Sequence, residues 1–265
     1  MKMKKSLVAT LVLLWLTSLA SAHSTIVFRH RAAAPPTCNA PNTFDLWTDF
    51  ENSVESCTTC VEDGATWTKT RLVGSGAYID YDATSSPAIG SQFMRVYSGT
   101  DNVAFSSVPF SASSEGSIFF LFRTAAAPPT SAVSILRSWS TDPAVNTGIK
   151  LLQHTSGYLR IYHGGVNQLA STTALLANTW YYIWFDYDVS TGSDGRISLY
   201  VKQADGSLVR PATAETTITT GTDTDSVGGF DFCAGEGGSG TTATNDFDRV
   251  IWSNTFGGVD DVCAN

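Results

Sequence analysis

The segment 178–201 constrains the fold of this chain more than any other. It reads NTWYYIWFDYDVSTGSDGRISLYV: a long apolar and aromatic run, a short loop containing Ser193-Asp194-Gly195, and a second run in which apolar and polar residues alternate. Two such runs joined by a loop of turn-forming residues predict a β-hairpin. Because successive side chains of a strand point to opposite faces, each run has two faces to account for.

The two faces of the first run differ in chemistry. One face is apolar and is predicted to belong to a core. The other combines rings with carboxylates, namely Trp180, Tyr182, Trp184, Asp186 and Asp188. Rings stack on the C–H faces of sugars, and carboxylates accept hydrogen bonds from sugar hydroxyls. We therefore expect carbohydrate to bind on this side of the hairpin.

Short β-prone segments continue along the chain. From residue 44 onward, runs of about five to ten residues alternate with turns rich in Gly, Ser, Thr and Asp. We predict strands at 45–51, 67–72, 78–81, 92–97, 103–105, 117–123, 133–140, 148–153, 158–162, 180–188, 196–203, 226–233 and 247–253. No segment has a convincing helical period with caps. The predicted fold is all-β, a sandwich of two antiparallel sheets.

Residues 1–22 have the pattern of a secretory signal peptide: lysines, an apolar run at 7–19 and a small-residue cleavage site. The apolar run is short for a membrane span and no later segment is a candidate. We therefore expect a secreted protein (extracellular or periplasmic) with no membrane insertion. Residues 23–42 are predicted to be a disordered lead-in, and residues 43–265 to form one domain.

The charge of the exported chain limits its partners. Without the three lysines of the signal, 13 basic residues stand against 24 acidic ones, a formal charge of −11. This balance argues against nucleic acid and anionic membranes as partners. It also weighs mildly against a highly anionic polysaccharide, unless a local basic patch overrides it.

Three motifs resemble those of a known superfamily. Residues 180–188 resemble its W-h-x-V…Y-D strand, 195–201 its following G-x-hydrophobic-x-L-Y-V strand, and 247–252 its closing F-D-x-V-x-hydrophobic strand. Residues 44–256 thus resemble the laminin-G-like branch of the concanavalin A-like lectin/glucanase superfamily. The resemblance implies a jelly-roll sandwich, a fold that hosts lectin-like modules, glycoside hydrolases and polysaccharide lyases.

The resemblance also implies a structural calcium ion. In this superfamily the first and last strands are neighbours and calcium often lies beside them, and the matching positions here are Asp49, Glu51 and Asp248. Carboxylates are hard oxygen ligands that suit Ca²⁺. The alternative is that Asp248 accepts backbone N–H bonds at a strand end while Glu51 is solvated. No organic cofactor is expected.

The cysteines predict disulfides, with one thiol left over or shared between chains. They are Cys38, Cys57, Cys60, Cys233 and Cys263. Cys57 and Cys60 either close a local loop or have distant partners. If the first and last strands are neighbours, Cys38 is well placed to pair with Cys263, but Cys233 is an equal competitor, so the pairing stays open.

The glycan site is predicted from strand alternation. If the strands at 158–162, 180–188 and 196–203 share the concave sheet, their outward side chains form one belt. The predicted glycan-binding residues are Arg160, Tyr162, Tyr182, Trp184, Asp186, Tyr200 and Lys202. The alternative is that loops cover Tyr182 and Trp184, which then extend the core.

Other functions stay open beside binding. A polysaccharide lyase needs a proton-abstracting Tyr or His and a cation for the uronate carboxyl, and His154, Tyr158, Arg160 and Tyr162 supply these types. They resemble alginate-lyase motifs in part only, because His154 directly follows Gln153. A glycosidase needs two carboxylates, and the E-x-D-x-x-E signature of laminarinases is absent. The third class is a structural or adhesive surface protein. We rank a carbohydrate-binding module first, a lyase second and a hydrolase below it.

Overall fold

The computed structural model describes residues 45–48, 50, 59–62, 65–73, 77–82, 87–98, 103–140, 146–163, 166–189, 195–219, 226–234 and 242–259. Every regular element in these ranges is a β-strand. The described segments contain no helix with the length and apolarity needed to cross a bilayer.

The first sheet has eight antiparallel strands. They are β1 (Leu46–Thr48), β4 (Tyr78–Asp82), β5 (Phe93–Tyr97), β7 (Glu115–Thr124), β12 (Tyr181–Asp188), β13 (Arg196–Gln203), β14 (Thr216–Ile218) and β16 (Thr244–Ser253). Their order across the sheet is β14-β13-β12-β7-β16-β5-β4, and β1 also pairs with β16.

The second sheet also has eight antiparallel strands. They are β2 (Thr59–Glu62), β3 (Ala65–Val73), β6 (Val103–Ser113), β8 (Val133–Trp139), β9 (Asn146–Gln153), β10 (Tyr158–His163), β11 (Val166–Ala174) and β15 (Val227–Ala234). Their order is β11-β10-β9-β8-β15-β6-β3-β2.

The core lies between the two sheets and is rich in aromatic rings. Every second residue of a central strand points toward the opposite sheet, as the two-residue period of a strand requires. Phe120 of the first sheet meets Phe232 of the second edge-on, with ring centroids 5.5 Å apart, and Phe232 also meets Phe247 at 5.1 Å. Side chains that point away from the opposite sheet form the outer face of each sheet.

The predicted all-β jelly-roll sandwich is confirmed, and each predicted strand overlaps an observed one. The hairpin at 178–201 is β12 and β13, with Trp184 opposite Tyr200. The first and last strands pair, with Leu46 opposite Trp252. The prediction missed β2, β11 and β14. Two of these are short, and β11 reads VNQLASTTA, with few large apolar residues.

The prediction that three strands share one sheet is wrong. The strand carrying Arg160 and Tyr162 is β10, which pairs with β9 and β11 in the second sheet. The strands carrying Tyr182 and Tyr200 are β12 and β13 of the first sheet. The predicted belt is therefore divided between two outer faces that point in opposite directions.

Several predictions lie outside the described residues. These are the signal peptide at 1–22, the lead-in at 23–42, the ligands Asp49 and Glu51, and Cys38, Cys57 and Cys263. Among the described residues, Cys233 is fully buried, and its Sγ lies 3.3 Å from the backbone oxygen of Asp231. The disulfide pairing stays a prediction, because Cys263 lies outside the described residues.

Candidate functional site

A row of polar side chains crosses four neighbouring strands of the second sheet. Asp231 of β15 lies opposite Arg137 of β8, Arg137 opposite Lys150 of β9, and Lys150 opposite Tyr162 of β10. Residues directly opposite each other in an antiparallel pair share a face. The four side chains therefore form one line about 14 Å long, three strand spacings. We refer to them as the polar row.

The polar row lies on the outer face of the second sheet. Phe230 and Phe232 belong to the core, so Asp231 between them points outward. Exposure along β10 alternates in the same way: Ile161 is fully buried and Tyr162 is half-buried. The polar row thus points away from the core.

One end of the polar row is a buried ion pair. The Nε of Arg137 donates to Oδ2 of Asp231, and the two side chains are only 5% and 0% exposed. A charge-assisted hydrogen bond of this kind fixes the guanidinium plane, and each charge compensates the other. The pair is therefore a rigid floor for the row, and its formal charge is zero.

The other end of the polar row is more accessible and carries positive charge. The Nζ of Lys150 lies 5.6 Å from the centroid of the Tyr162 ring, and both side chains are half-buried. Arg160 lies two residues before Tyr162 on the same face. Its Nε is buried with no hydrogen-bond partner among the described residues. Two cations and one ring thus stand together.

Another group of candidate residues lies at the start of β10. The backbone N–H of His154 donates to the Tyr158 carbonyl at 2.9 Å, and His154 Nδ1 is 3.0 Å from Ser156 Oγ. Partial burial, and then the Arg160 charge, lower the pKa of His154 below its usual range. Its imidazole is therefore neutral at neutral pH. Tyr158 and Tyr162 are about 13 Å apart along the strand, so the lyase candidates form two groups.

Trp139 lies beside Arg137 on the same face. It stands opposite Gly229, and a Cβ at that glycine would come within 2.1 Å of the indole ring. Because Gly229 has no side chain, the Trp139 ring can lie against β15. Trp139 is only 6% exposed, and its Nε1 has no hydrogen-bond partner among the described residues.

The predicted site residues of the first sheet are largely covered. Tyr182 is 4% exposed, and Trp184 and Asp186 are fully buried. Residues 204–210, which we call the strap, lie over this outer face and contribute the buried Leu208 to the apolar cluster around Trp184. Tyr182 and Trp184 therefore do not present their rings to solvent, and the prediction that they stack on sugar is wrong for this conformation.

The predicted polar contacts of the first sheet hold the strap. The buried Asp186 accepts hydrogen bonds from Arg210 Nη1 at 2.7 Å and from Ser117 Oγ at 2.5 Å. The Arg210 guanidinium also lies 4.5 Å from the centroid of the half-buried Tyr200 ring. A buried carboxylate is stable only with such partners. Asp186 thus anchors the loop that covers its own face.

Lys202 has a similar local role. Its Nζ lies 2.9 Å from Oδ2 of Asp205 and donates to the Ser207 carbonyl at 3.0 Å. Nearby, the Gly206 N–H donates to the Tyr182 hydroxyl at 3.2 Å. These contacts bind the strap to β12 and β13.

Asp248 is fully buried beside the bulge in β16. Its Oδ2 accepts the N–H groups of Ala88 and Ile89 at 3.1 and 3.0 Å. Burial raises the pKa of Asp248 to about 7, against the opposing effects of these N–H groups and of Arg249. Asp248 therefore accepts backbone N–H bonds, as the alternative expects, although it lies within β16 and not at a strand end; Glu51, the other part of that alternative, lies outside the described residues.

One carboxylate oxygen of Asp248 bears on the calcium prediction. Oδ1 of Asp248 is buried and accepts no well-formed hydrogen bond from the described residues, which fits an oxygen that ligates a cation. Within the described ranges, no three His, Cys, Asp or Glu side chains are grouped as a metal site. Any further ligands would come from Asp49 and Glu51.

The sequence interpretation missed Arg137, Lys150 and Asp231. Each is a charged residue between apolar ones, in the runs ILRSW, GIKLL and GFDFC. A single charged residue between apolar neighbours in a strand indicates a side chain that points away from the core. That signal was present for each strand, but nothing in the sequence showed that the strands are neighbours.

Solved structures share this architecture. A cellulose induced protein, Cip1, is 14% identical, with 79% of this chain and 97% of that chain covered and a TM-score of 0.57. An endo-β-1,4-glucuronan lyase from the fungus Trichoderma reesei is 13% identical, with 82% and 98% covered and a TM-score of 0.53. The marine PL-14 alginate lyase from Aplysia kurodai is 10% identical, with 79% and 98% covered and a TM-score of 0.55.

At these identities the likeness shows the fold, a β-sandwich of the same architecture, and the fold alone. The superfamily implied by the sequence motifs stays a prediction. Comparison with protein-family models finds no match, and neither does comparison with curated proteins.

Proposed function

We propose that this chain is a secreted carbohydrate-binding protein that binds a uronate-containing polysaccharide on the outer face of its second sheet. The observation that carries the proposal is the polar row with Arg160 beside it. Lys150 and Arg160 supply positive charge next to the half-buried ring of Tyr162. A uronate unit offers the complement, a carboxylate beside a C–H face that stacks on a ring.

The local charge outweighs the overall charge of the chain. Although the exported chain is predicted to be acidic, charges beyond about 10 Å are largely screened at ordinary ionic strength. The Arg137–Asp231 pair adds no formal charge, and Lys150 and Arg160 add positive charge beside it. Two of the structural neighbours, the glucuronan lyase and the alginate lyase, bear names that specify uronate polymers, which supports this substrate class.

The binding test uses purified mature protein with glucuronan and with alginate, followed by calorimetric titration. Lys150→Ala and Tyr162→Ala are each expected to weaken binding about tenfold, and affinity is expected to fall as salt rises. Lys202→Ala, which removes a cation from the opposite face, is the matched control. Equal affinity for wild type and Lys150→Ala, or affinity that is insensitive to salt, would contradict the proposal.

A polysaccharide lyase is the second candidate. The backbone N–H of His154 donates to the Tyr158 carbonyl, and the Arg160 charge contributes to the lowered pKa of the His154 imidazole, so a candidate base and a cation belong to one stretch of chain. In such a reaction the base takes the proton from C5 of the uronate. The C4–O bond breaks, a C4=C5 double bond forms, and the departing oxygen takes up a proton.

The same incubations separate the two functions. Unsaturated ends absorb ultraviolet light, so a lyase produces a rising absorbance together with shorter chains. We expect binding without turnover. Turnover that is lost in both His154→Gln and Tyr158→Phe would favour the lyase, whereas disulfide-linked oligomers without affinity for any polymer would favour a structural protein.

We also propose a structural calcium ion held by Asp248 together with Asp49 and Glu51. It would compensate a buried carboxylate whose Oδ1 has no well-formed hydrogen bond among the described residues. A ligand that binds only the folded state raises the melting temperature. We expect calcium to raise the melting temperature of the wild type and not that of Asp248→Asn. If neither calcium nor a chelator changes the melting temperature of the wild type, the proposed calcium ion is wrong.

A further inference from the structure

A second aromatic surface lies far from the polar row, at the β4–β5 edge of the first sheet. Tyr78 is 43% exposed, and its ring stacks on that of Tyr97, with centroids 4.9 Å apart and planes inclined by 29°. The two residues are directly opposite each other. Ile79 and Val96 belong to the core, so both tyrosines point to the outer face. Tyr97 thus holds Tyr78 as a supported, accessible ring.

A ladder of alternating charges runs inward from this pair. Asp80 lies opposite Arg95, Arg95 opposite Asp246, and Asp246 opposite Arg123. Arg95 donates to both oxygens of Asp246 at 2.8 and 3.1 Å, and Arg123 Nη2 lies 2.7 Å from Asp246 Oδ2. Asp246 is almost fully covered and holds both guanidinium groups in place, whereas Asp80 and Arg95 are half-buried and can meet a ligand. The formal charge of the ladder is zero.

The ladder ends at a second aromatic residue. The Arg123 guanidinium lies 4.5 Å from the ring centroid of Trp180 and 4.9 Å from that of Phe93. Trp180 is half-buried, whereas Phe93 is fully buried. Trp180 stands at the start of β12, about 14 Å or three strand spacings from the strand of Tyr97. An accessible ring therefore lies at each end of a polar stretch that several sugar units would span.

We propose that this surface, which we call the edge platform, is a second carbohydrate-binding site that takes a neutral glycan. Tyr78 would stack on a pyranose ring, and the ladder would meet its hydroxyls. Because the ladder has a formal charge of zero, it does not favour an anionic ligand. The positive charges of Lys150 and Arg160, on the other sheet, do favour one. A protein partner fits poorly, because a stable interface buries roughly 800 Å² per partner, far more than two rings provide.

A protein with two binding sites would behave differently from a protein with one. The outer faces of a sandwich point away from each other, so one molecule would hold an acidic polymer on one side and a neutral one on the other. Engagement of both also raises overall avidity. The edge platform uses no residue of the polar row, so it stands even if the proposed function fails.

The test is affinity for soluble neutral β-glucan oligosaccharides, measured by calorimetric titration. Tyr78→Ala is expected to weaken binding about five- to tenfold, and Tyr78→Phe to retain most of it because the ring remains. Leu176→Ala removes another exposed apolar side chain, at 57% exposure, and is the matched control. All three melting temperatures are expected to stay close to that of the wild type.

The outcomes for the two sites are distinguishable. Binding of neutral glycan by Tyr78→Ala as tightly as by wild type, or no binding by wild type, overturns the edge platform. The variant Lys150→Ala is expected to keep neutral-glycan affinity while losing uronate affinity. If Lys150→Ala weakens neutral-glycan binding as much as Tyr78→Ala does, the edge platform is not a separate site.

Discussion

The outer face over β12 and β13 and the outer face over β8 to β10 look alike in sequence and differ in the folded protein. The first is richer in rings, but the strap covers it, and Trp184 is fully buried. The second has fewer rings, yet Lys150, Arg160 and Tyr162 stay half-buried. The density of aromatic residues in a strand therefore indicates burial more reliably than it indicates a ligand.

The two faces also use buried carboxylates differently. Asp186 of the first sheet binds Arg210 and so holds a loop in place. Asp231 of the second sheet binds Arg137 on the neighbouring strand, in the same row as the half-buried Lys150 and Tyr162. A buried carboxylate–arginine pair thus holds a covering loop on one face and fixes side chains of a row on the other. This contrast can be tested by variants of the buried carboxylates and of the strap.

Loss of the buried Asp231 is expected to have the largest effect. Asp231→Ala leaves the Arg137 charge buried without its carboxylate, which costs about 3–5 kcal/mol of the free energy of unfolding. Denaturation in urea measures the loss. The double variant with Arg137→Met and Asp231→Leu is expected to recover most of it, because no buried charge remains. A loss below about 1 kcal/mol in Asp231→Ala would show that the pair is not a structural floor.

The pH dependence of Asp248 is the second test. Its folded pKa of about 7 is above the ordinary aspartate value of 3.8, so its contribution to stability is complete below pH 4 and is lost as pH rises through 7. In the presence of a chelator, Asp248→Asn is expected to gain about 2–4 kcal/mol relative to wild type between about pH 5 and pH 8. A stability difference that does not vary with pH would contradict the assigned shift.

The strap offers two adjacent residues for a matched comparison. Leu208 is 3% exposed and packs in the cluster around Trp184, whereas Val209 is 56% exposed. Leu208→Ala is expected to destabilise the protein by about 2 kcal/mol, and Val209→Ala by less than about 0.5 kcal/mol. Equal effects, measured by urea denaturation, would mean that the strap does not seal this face.

Much of the fold follows from local pattern. The alternation in 178–201 correctly predicted the β12–β13 hairpin and the core face of Ile183 and Phe185. A strand has a two-residue period whatever its neighbours, so the faces are readable from sequence. The same rule assigned Tyr162 and Arg160 to an outer face. It failed for β11 and β14, where apolar residues are too few to mark a strand.

The amino-acid pattern alone was enough to predict a β-sandwich, the positions of most strands, and which residues share a side of each strand. The folded chain was needed to show that β10 and β12 join different sheets, that the strap covers Trp184, and that one row is formed by Asp231, Arg137, Lys150 and Tyr162. The difference comes from the sequence distance over which each feature is set. Alternation is a property of adjacent residues, whereas sheet partners and loop cover come from contacts between residues far apart in the chain.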